Sequence, residues 1–279
     1  MVGFGLYCVL GLAVASAGVE RAVEYNLAVE DVGTVAVMDS LLAGEQGLPT
    51  AERVGIWARR YLAWGRVEYW FGLREGGYVA EGLLVPGVRQ DCVSLMYRTT
   101  ELARARDAQD AVRVALALRF AGADPDSVLR EDGRADYDRP EHLDFSLDMI
   151  RSGHWGADVT ASLSGAAPDP VGSRRYPAGS FLCVPEADLD VAELREGDIA
   201  WLVLDPADPK ARALRDEHGL VIGHVGIVIV EDGERRLVHA ASSPLPGWYE
   251  ESGVVSVPLA VYLDRVERYG AVVVTRFPG

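Results

Sequence analysis

Two apolar strand-like segments joined by a turn with few possible geometries place the tightest constraint on this chain. Residues 223–230 run Gly-His-Val-Gly-Ile-Val-Ile-Val and residues 237–241 run Leu-Val-His-Ala-Ala, with Asp232-Gly233 between them. Asp-Gly favours a two-residue hairpin turn, because both residues tolerate the positive φ that such a turn needs. With a two-residue turn Glu231 faces Glu234, and the same register puts His224 opposite Ala241 and Gly226 opposite His239. His239 then lies diagonally from His224 on one face of the sheet, within reach of ring side chains. A bulge or an odd-length loop would separate the two rings.

Three more segments carry strand patterns bounded by Gly, Pro or Asp: 199–204, 254–257 and 271–276. The first half has the opposite character. Residues 19–42 read as one or two short helices, and 51–64 as a stronger helix capped by Thr50, with Val54, Trp57, Ala58 and Tyr61 on one face. Helices are also expected over 93–106 and 111–120. Helices first and strands afterwards predict an α+β fold with an antiparallel sheet. Residues 124–179 are loop-rich, with Pro125, Pro140, Pro168, Pro170 and Pro177 and one short helix expected over 142–150. A connection this long is expected to flank a binding surface.

Cys92 sits where a loop containing Gly76, Gly77, Gly82, Pro86 and Gly87 gives way to the 93–106 helix, and Asp91 is a natural N-cap. The nucleophilic form of cysteine is the thiolate. A helix N-terminus contributes roughly 0.3–1 kcal/mol, short of the ~1.4 kcal/mol that moves a pKa by one unit. A catalytic Cys92 therefore needs a base. His224 is expected to take the thiol proton and return it to a leaving amine, with His239 holding the far ring nitrogen. His142 and His154, in the loop-rich stretch, are rivals for the third role. Backbone N–H groups at the helix start, including that of Cys92, would hold an oxyanion, with Tyr69 and Gln90 as side-chain candidates. Trp155 and Trp248 are candidates for a sugar or peptide groove, against core packing as the plainer reading. Cys183 is expected to be buried and inert.

Asp91-Cys92, Gly197-Asp198-Ile199, His224-Val225-Gly226-Ile227 and Val238-His239-Ala240 occur in the order and local form of the NlpC-type cell-wall hydrolases, the bacterial papain-like cysteine peptidases. The chain resembles most their amidase-like branch, linked by name to N-acetylmuramoyl-L-alanine amidases and long filed as a domain of unknown function. The resemblance runs from about residue 51 to the C-terminus. It implies a papain-like fold in which a helix carrying the cysteine packs on an antiparallel sheet carrying the histidines. It also implies Cys92 as nucleophile, His224 as base, His239 as orienting residue, and a peptidoglycan or muropeptide substrate cut at an amide bond. The bond would be muramoyl to L-alanine or γ-D-glutamyl to the diamino acid. The chain departs from the pattern at Val93-Ser94, where Ser-Gly is usual, and at Glu68-Tyr69, where Pro-Tyr is usual.

At 279 residues and 49% hydrophobic, the chain can bury one substantial core. A formal net charge of -15 argues against nucleic acid or an anionic membrane as partner. Residues 2–17 form an apolar run ending in Ala15-Ser16-Ala17, the small-x-small form of a signal-peptidase site, so an exported protein is expected. No Lys or Arg precedes the run and Cys8 lies inside it; a buried N-terminal helix is the alternative. After signal removal no stretch approaches a membrane span. The expected organisation is a signal peptide over 1–17, a helical extension over 18–48 and a cysteine hydrolase domain over 49–279 with its insert at 124–179. No HExxH and no closely spaced Cys/His ligand pair occurs, which leaves a zinc hydrolase a remote second reading, and neither metal nor cofactor is expected. Two further readings keep the fold: a wall-binding module without turnover, and a thiol acyltransferase or hydrolase on a non-murein acyl substrate.

Overall fold

The computed structural model describes residues 16–278 apart from 144 and 146. Residues 1–15, with Cys8 and most of the expected signal stretch, lie outside the described residues. The fold is α+β, and its helices come mainly first. Helices α1 (Ala17–Leu27), α2 (Val35–Gly44), α3 (Thr50–Trp64), α4 (Cys92–Leu102) and α5 (Ala108–Arg119) precede the main strands. Helix α3 begins one residue earlier than expected: Thr50 is helical and Pro49 holds the N-cap position, without a side-chain cap bond. Proline at that position is already extended, so the chain enters the helix without a hydroxyl cap. Short strands β1 (Glu68–Tyr69) and β2 (Arg89–Gln90) pair in parallel immediately before α4.

The 124–179 segment contributes α6 (Leu147–Ser152), β3 (Ala157–Asp158) and β4 (Ala167–Pro168). Then follow β5 (Leu182–Pro185), β6 (Ile199–Leu204), α7 (Pro209–His218), β7 (Ile222–Glu231), β8 (Glu234–Ala241), β9 (Gly253–Pro258), α8 (Leu259–Arg265) and β10 (Tyr269–Arg276). The large sheet runs β4-β5-β10-β6-β7-β8-β9, with β3 also on β10. Its pairings are antiparallel. The β7–β8 hairpin has the register set by its two-residue turn: Glu231 pairs with Glu234 and Ile227 with Val238, and Asp232 and Gly233 have φ of 49° and 84°.

Alternation along the strands divides the sheet into two apolar faces. Val225, Ile227, Ile229, Val238 and Ala240 join the core that also holds Trp57, Tyr61, Leu95 and Met96 from α3 and α4. Val228, Leu237, Val257, Leu259 and Leu263 fill the core on the other side. Helix α4 packs on β7 and β8, so the helix that begins with Cys92 rests on the two strands that carry the histidines.

Charge is buried beneath α4. Arg98 bonds Asp31 at 2.8 Å and Glu101 at 3.2 Å, while Arg119 bonds Glu101 at 2.7 Å and the Leu84 carbonyl at 2.7 Å. Tyr61 donates to the other Asp31 oxygen. Each carboxylate meets at least one guanidinium, the arrangement that makes burial of charge tolerable. Asn26 of α1 completes the anchorage, accepting from the N–H groups of Leu84 and Val85 at 2.7 and 2.9 Å. Among the described residues, no helix is long and apolar enough to cross a membrane.

Candidate active site

Asp91 builds the site from its own backbone outward. Its carboxylate accepts the Ser94 N–H at 2.8 Å, and Ser94 Oγ accepts the Asp91 N–H at 2.9 Å, a reciprocal capping box that fixes the first turn of α4. The second carboxylate oxygen accepts the Gly72 N–H at 2.9 Å. One buried side chain thus starts the helix and ties down the glycine-rich loop. Burial raises the Asp91 carboxyl, against the lowering effect of these N–H donors. Tyr69 pairs with Gln90 in the β1–β2 ladder, which brings its ring to the same corner.

Cys92 is a half-buried free thiol and Cys183 a buried one, so the two form no disulfide. The Cys92 sulfur lies within reach of the backbone N–H groups of Val225, Cys92 and Val93, all of which favour the thiolate. Val225 follows His224 in the chain, so the thiol meets β7 where the histidine is mounted. Burial and the Asp91 charge outweigh the three donors and push the thiol up to about 12. A charge on Cys92 would be felt by the hydroxyls of Tyr69, Tyr262 and Tyr269. Burial chiefly, and then Cys92, raises Tyr69 to about 12.

His224 Nε2 and His239 Nδ1 are 2.8 Å apart. Burial, followed by the Arg268 charge, brings His224 down to about 4, and burial with the neighbouring His224 holds His239 well below its ordinary value. These shifts all disfavour charge, on the thiol as on the two imidazoles. If His224 spends Nε2 on His239, its Nδ1 remains to accept a proton. Tyr262 and Tyr269 stack on His224, each with its ring centroid 5.9 Å away, and Tyr249 and Tyr262 meet His239 edge to face at 5.9 and 4.7 Å.

The other sequence candidates separate. Gln90 is fully buried and donates to the Gly87 carbonyl at 3.0 Å, which makes it part of the loop's framework. Trp155 is fully buried against Tyr97, with its carbonyl accepting from Thr275 Oγ1 at 2.6 Å; it is a core residue and lines no groove. His142 packs among Phe120 and Tyr137. His154 Nδ1 lies 2.9 Å from the Leu118 carbonyl. Both histidines belong to the α5 side of the molecule, and neither has a described contact with His224 or His239. Trp248 is exposed, one residue from Tyr249. Sequence reasoning missed Tyr249, Tyr262 and Tyr269, which have no spacing signature and converge only through the fold.

The architecture is that of an α+β protein whose cysteine heads a helix packed on an antiparallel sheet bearing paired histidines. By sequence, no family model and no curated protein matches the chain. By structure it is similar to an N-acetylmuramoyl-L-alanine amidase from Bacteroides uniformis, at 19% identity and a TM-score of 0.58 over 82% of this chain and 99% of that one. A second structure of an amidase so named from the same organism aligns at 20% identity and 0.57, over 82% and 100%. A Legionella pneumophila protein of the DUF1460 family aligns at 15% identity and 0.58, over 88% and 94%. At these identities the likeness establishes the shared fold.

Proposed function

We propose that this chain is an exported cysteine amidase of the papain-like, NlpC type that cuts an amide bond in peptidoglycan or its fragments. The observation that carries the reading is the joint placement of the Cys92 thiol, at a capped helix start against Val225, and the hydrogen-bonded pair His224–His239. Support for the substrate comes from the amidase names of the similar structures. Residues 49–279 form the hydrolase unit on this reading, and the apolar run at 2–17 serves export.

On this reading the chemistry starts from a neutral thiol and neutral imidazoles. A thiol held near 12 ionises only when its proton has somewhere to go, so attack on the carbonyl and transfer to His224 Nδ1 occur together. The carbonyl oxygen gathers charge near the Cys92 N–H at the helix start, with the Tyr69 hydroxyl as a second donor. His224 then protonates the leaving amine. Water attacks the resulting thioester, giving its proton to His224, and the thiol is restored. His239 keeps the ring oriented and, lacking a formal charge, stabilises the imidazolium less than a carboxylate would.

The test is a mass-spectrometric digest of purified muropeptides by the wild type beside Cys92→Ala. Products from the wild type alone identify the scissile bond and support the proposal. Binding of muropeptides without products from either protein would replace it with the wall-binding module.

A further inference from the structure

His239 Nδ1 is engaged with His224, but His239 Nε2 is buried and has no hydrogen-bond partner among the described residues. That orphan atom bears on which way the proton between the rings points. Two neutral imidazoles can share one hydrogen bond in two ways. If His224 Nε2–H donates, His224 Nδ1 is bare and able to accept a proton, while His239 carries its own proton on Nε2. If His239 Nδ1–H donates, His224 carries its proton on Nδ1 and cannot act as a base. A carboxylate at His239 Nε2 would enforce the first arrangement, but among the described residues none bonds that nitrogen. Its surroundings are tyrosine rings.

We propose that Tyr262 is a positioning residue, its ring face receiving the Nε2–H of His239 and so holding the pair in the tautomer that leaves His224 Nδ1 free. The rings meet at a centroid distance of 4.7 Å and an interplanar angle of 65°, an edge-to-face contact. A π face attracts an N–H and gives nothing to a bare nitrogen lone pair, so the contact discriminates between the two tautomers. Tyr262 also lies 5.9 Å from His224 at 23°, so one ring touches both members of the pair. Tyr269 completes a nearly parallel group with Tyr262, at 6.2 Å and 18°, and with His224, at 5.9 Å and 19°. A positive charge arriving on His224 therefore meets two ring faces. Tyr249, 5.9 Å from His239 and only half-buried, closes the same side.

This inference rests on the proposed roles of Cys92 and His224, and its test needs no substrate. In the full chain, nitrogen-15 NMR of the histidine rings is expected to find the Nε2–H tautomer for both His224 and His239, with the His239 Nε2 proton shifted upfield by the ring beneath it. The opposite tautomer at His224 overturns the proposal in the wild type alone, whatever the variants do. Tyr262→Phe keeps the ring face and is expected to leave the tautomers and the rate of Cys92 alkylation by iodoacetamide unchanged. Tyr262→Leu removes the face and is expected to mix the tautomers and slow alkylation roughly threefold to fivefold, with circular dichroism unchanged. Wild-type tautomers in Tyr262→Leu, or a loss in Tyr262→Phe equal to that in Tyr262→Leu, would overturn it. Failure here, with muropeptide products still formed, would leave the amidase reading standing.

Discussion

His224 and His239 meet at 2.8 Å beyond the point where their strands stop pairing: the β7–β8 register ends at Ile227 and Val238, and the imidazoles join the two chains past it. Gly226 makes this possible. A Cβ there would come within 2.6 Å of Leu237 Cδ1 and 3.0 Å of the Val238 carbonyl, so a side chain would push the strands apart just below the rings.

Removing either histidine should lower turnover, by different amounts. On the proposed mechanism His224→Ala eliminates the proton acceptor and is expected to cost on the order of 10³-fold or more in kcat. In His239→Ala a water can occupy part of the vacated space, and a loss of about 10- to 100-fold is expected. Muropeptide turnover by the two variants, side by side, measures the ratio; equal residual rates would count against the division of roles.

Thiol labelling should discriminate between the two described cysteines. Burial raises both, Cys92 to about 12 and Cys183 to about 11, so ionisation alone favours neither strongly. Access favours Cys92, which is half-buried, over the enclosed Cys183, and so does the base that the proposed mechanism puts in His224. Peptide mapping after brief iodoacetamide treatment at neutral pH is expected to find Cys92 modified first.

Acid should destabilise the fold through the histidine pair. Both imidazoles are depressed, His224 to about 4, so below about pH 6.5 the unfolded chain binds protons that the native chain refuses. Their contribution is present in full above that value and is lost as pH falls toward 4. For His224 alone the loss is on the order of 3 kcal/mol. Melting temperatures followed from pH 7 to 4 should fall less steeply in His224→Gln than in the wild type.

Asp91 holds two structures at once, and its loss should be felt in both. Asp91→Ala removes the helix cap and leaves the Gly72 N–H without its acceptor, with an expected cost of about 2–4 kcal/mol. Asp91→Asn keeps one acceptor oxygen and should recover much of it. Denaturant unfolding of the pair checks the difference.

Glu101 neutralises two buried guanidinium groups. Glu101→Ala should cost about 3–5 kcal/mol, because among the described residues Arg119 loses the carboxylate that pairs with it and Arg98 one of two. Urea midpoints measure it.

The five long strands were legible because each alternates or stays apolar between turn residues. The hairpin was legible because Asp232-Gly233 favours a two-residue turn; its register runs from Glu231–Glu234 to Ile227–Val238 and stops short of the expected His224–Ala241 and Gly226–His239 pairs. The Asp91 cap could likewise be read from three adjacent residues. Helix α7 was not, although Asp208 and Pro209 mark its start: only Ala211 and Arg215 are buried, so it has no apolar stripe. Two-residue strands such as β3 and β4 are too short to show a period. For Trp155 a groove and the core were both open in the sequence, with the core the plainer reading, and the 124–179 segment folds back so that its ring packs on Tyr97 of α4. The tyrosines around the histidines come from a loop, a helix and a strand, and sheet order alone brings them together.

The ion pair between Arg98 and Asp31 sets a limit on how far the amino terminus can be shortened. Arg98 belongs to the helix that presents Cys92, and Asp31 lies upstream of α2. A chain that begins before α1 keeps this ion pair and also the buried Val19, Ala22 and Val23 of that helix. A cut beyond Asp31 would strip a buried guanidinium of its 2.8 Å partner and loosen the helix that begins at Cys92. The residues from α1 to Asp31 thus help hold the helix that begins at Cys92, and a truncation that reaches them is felt there.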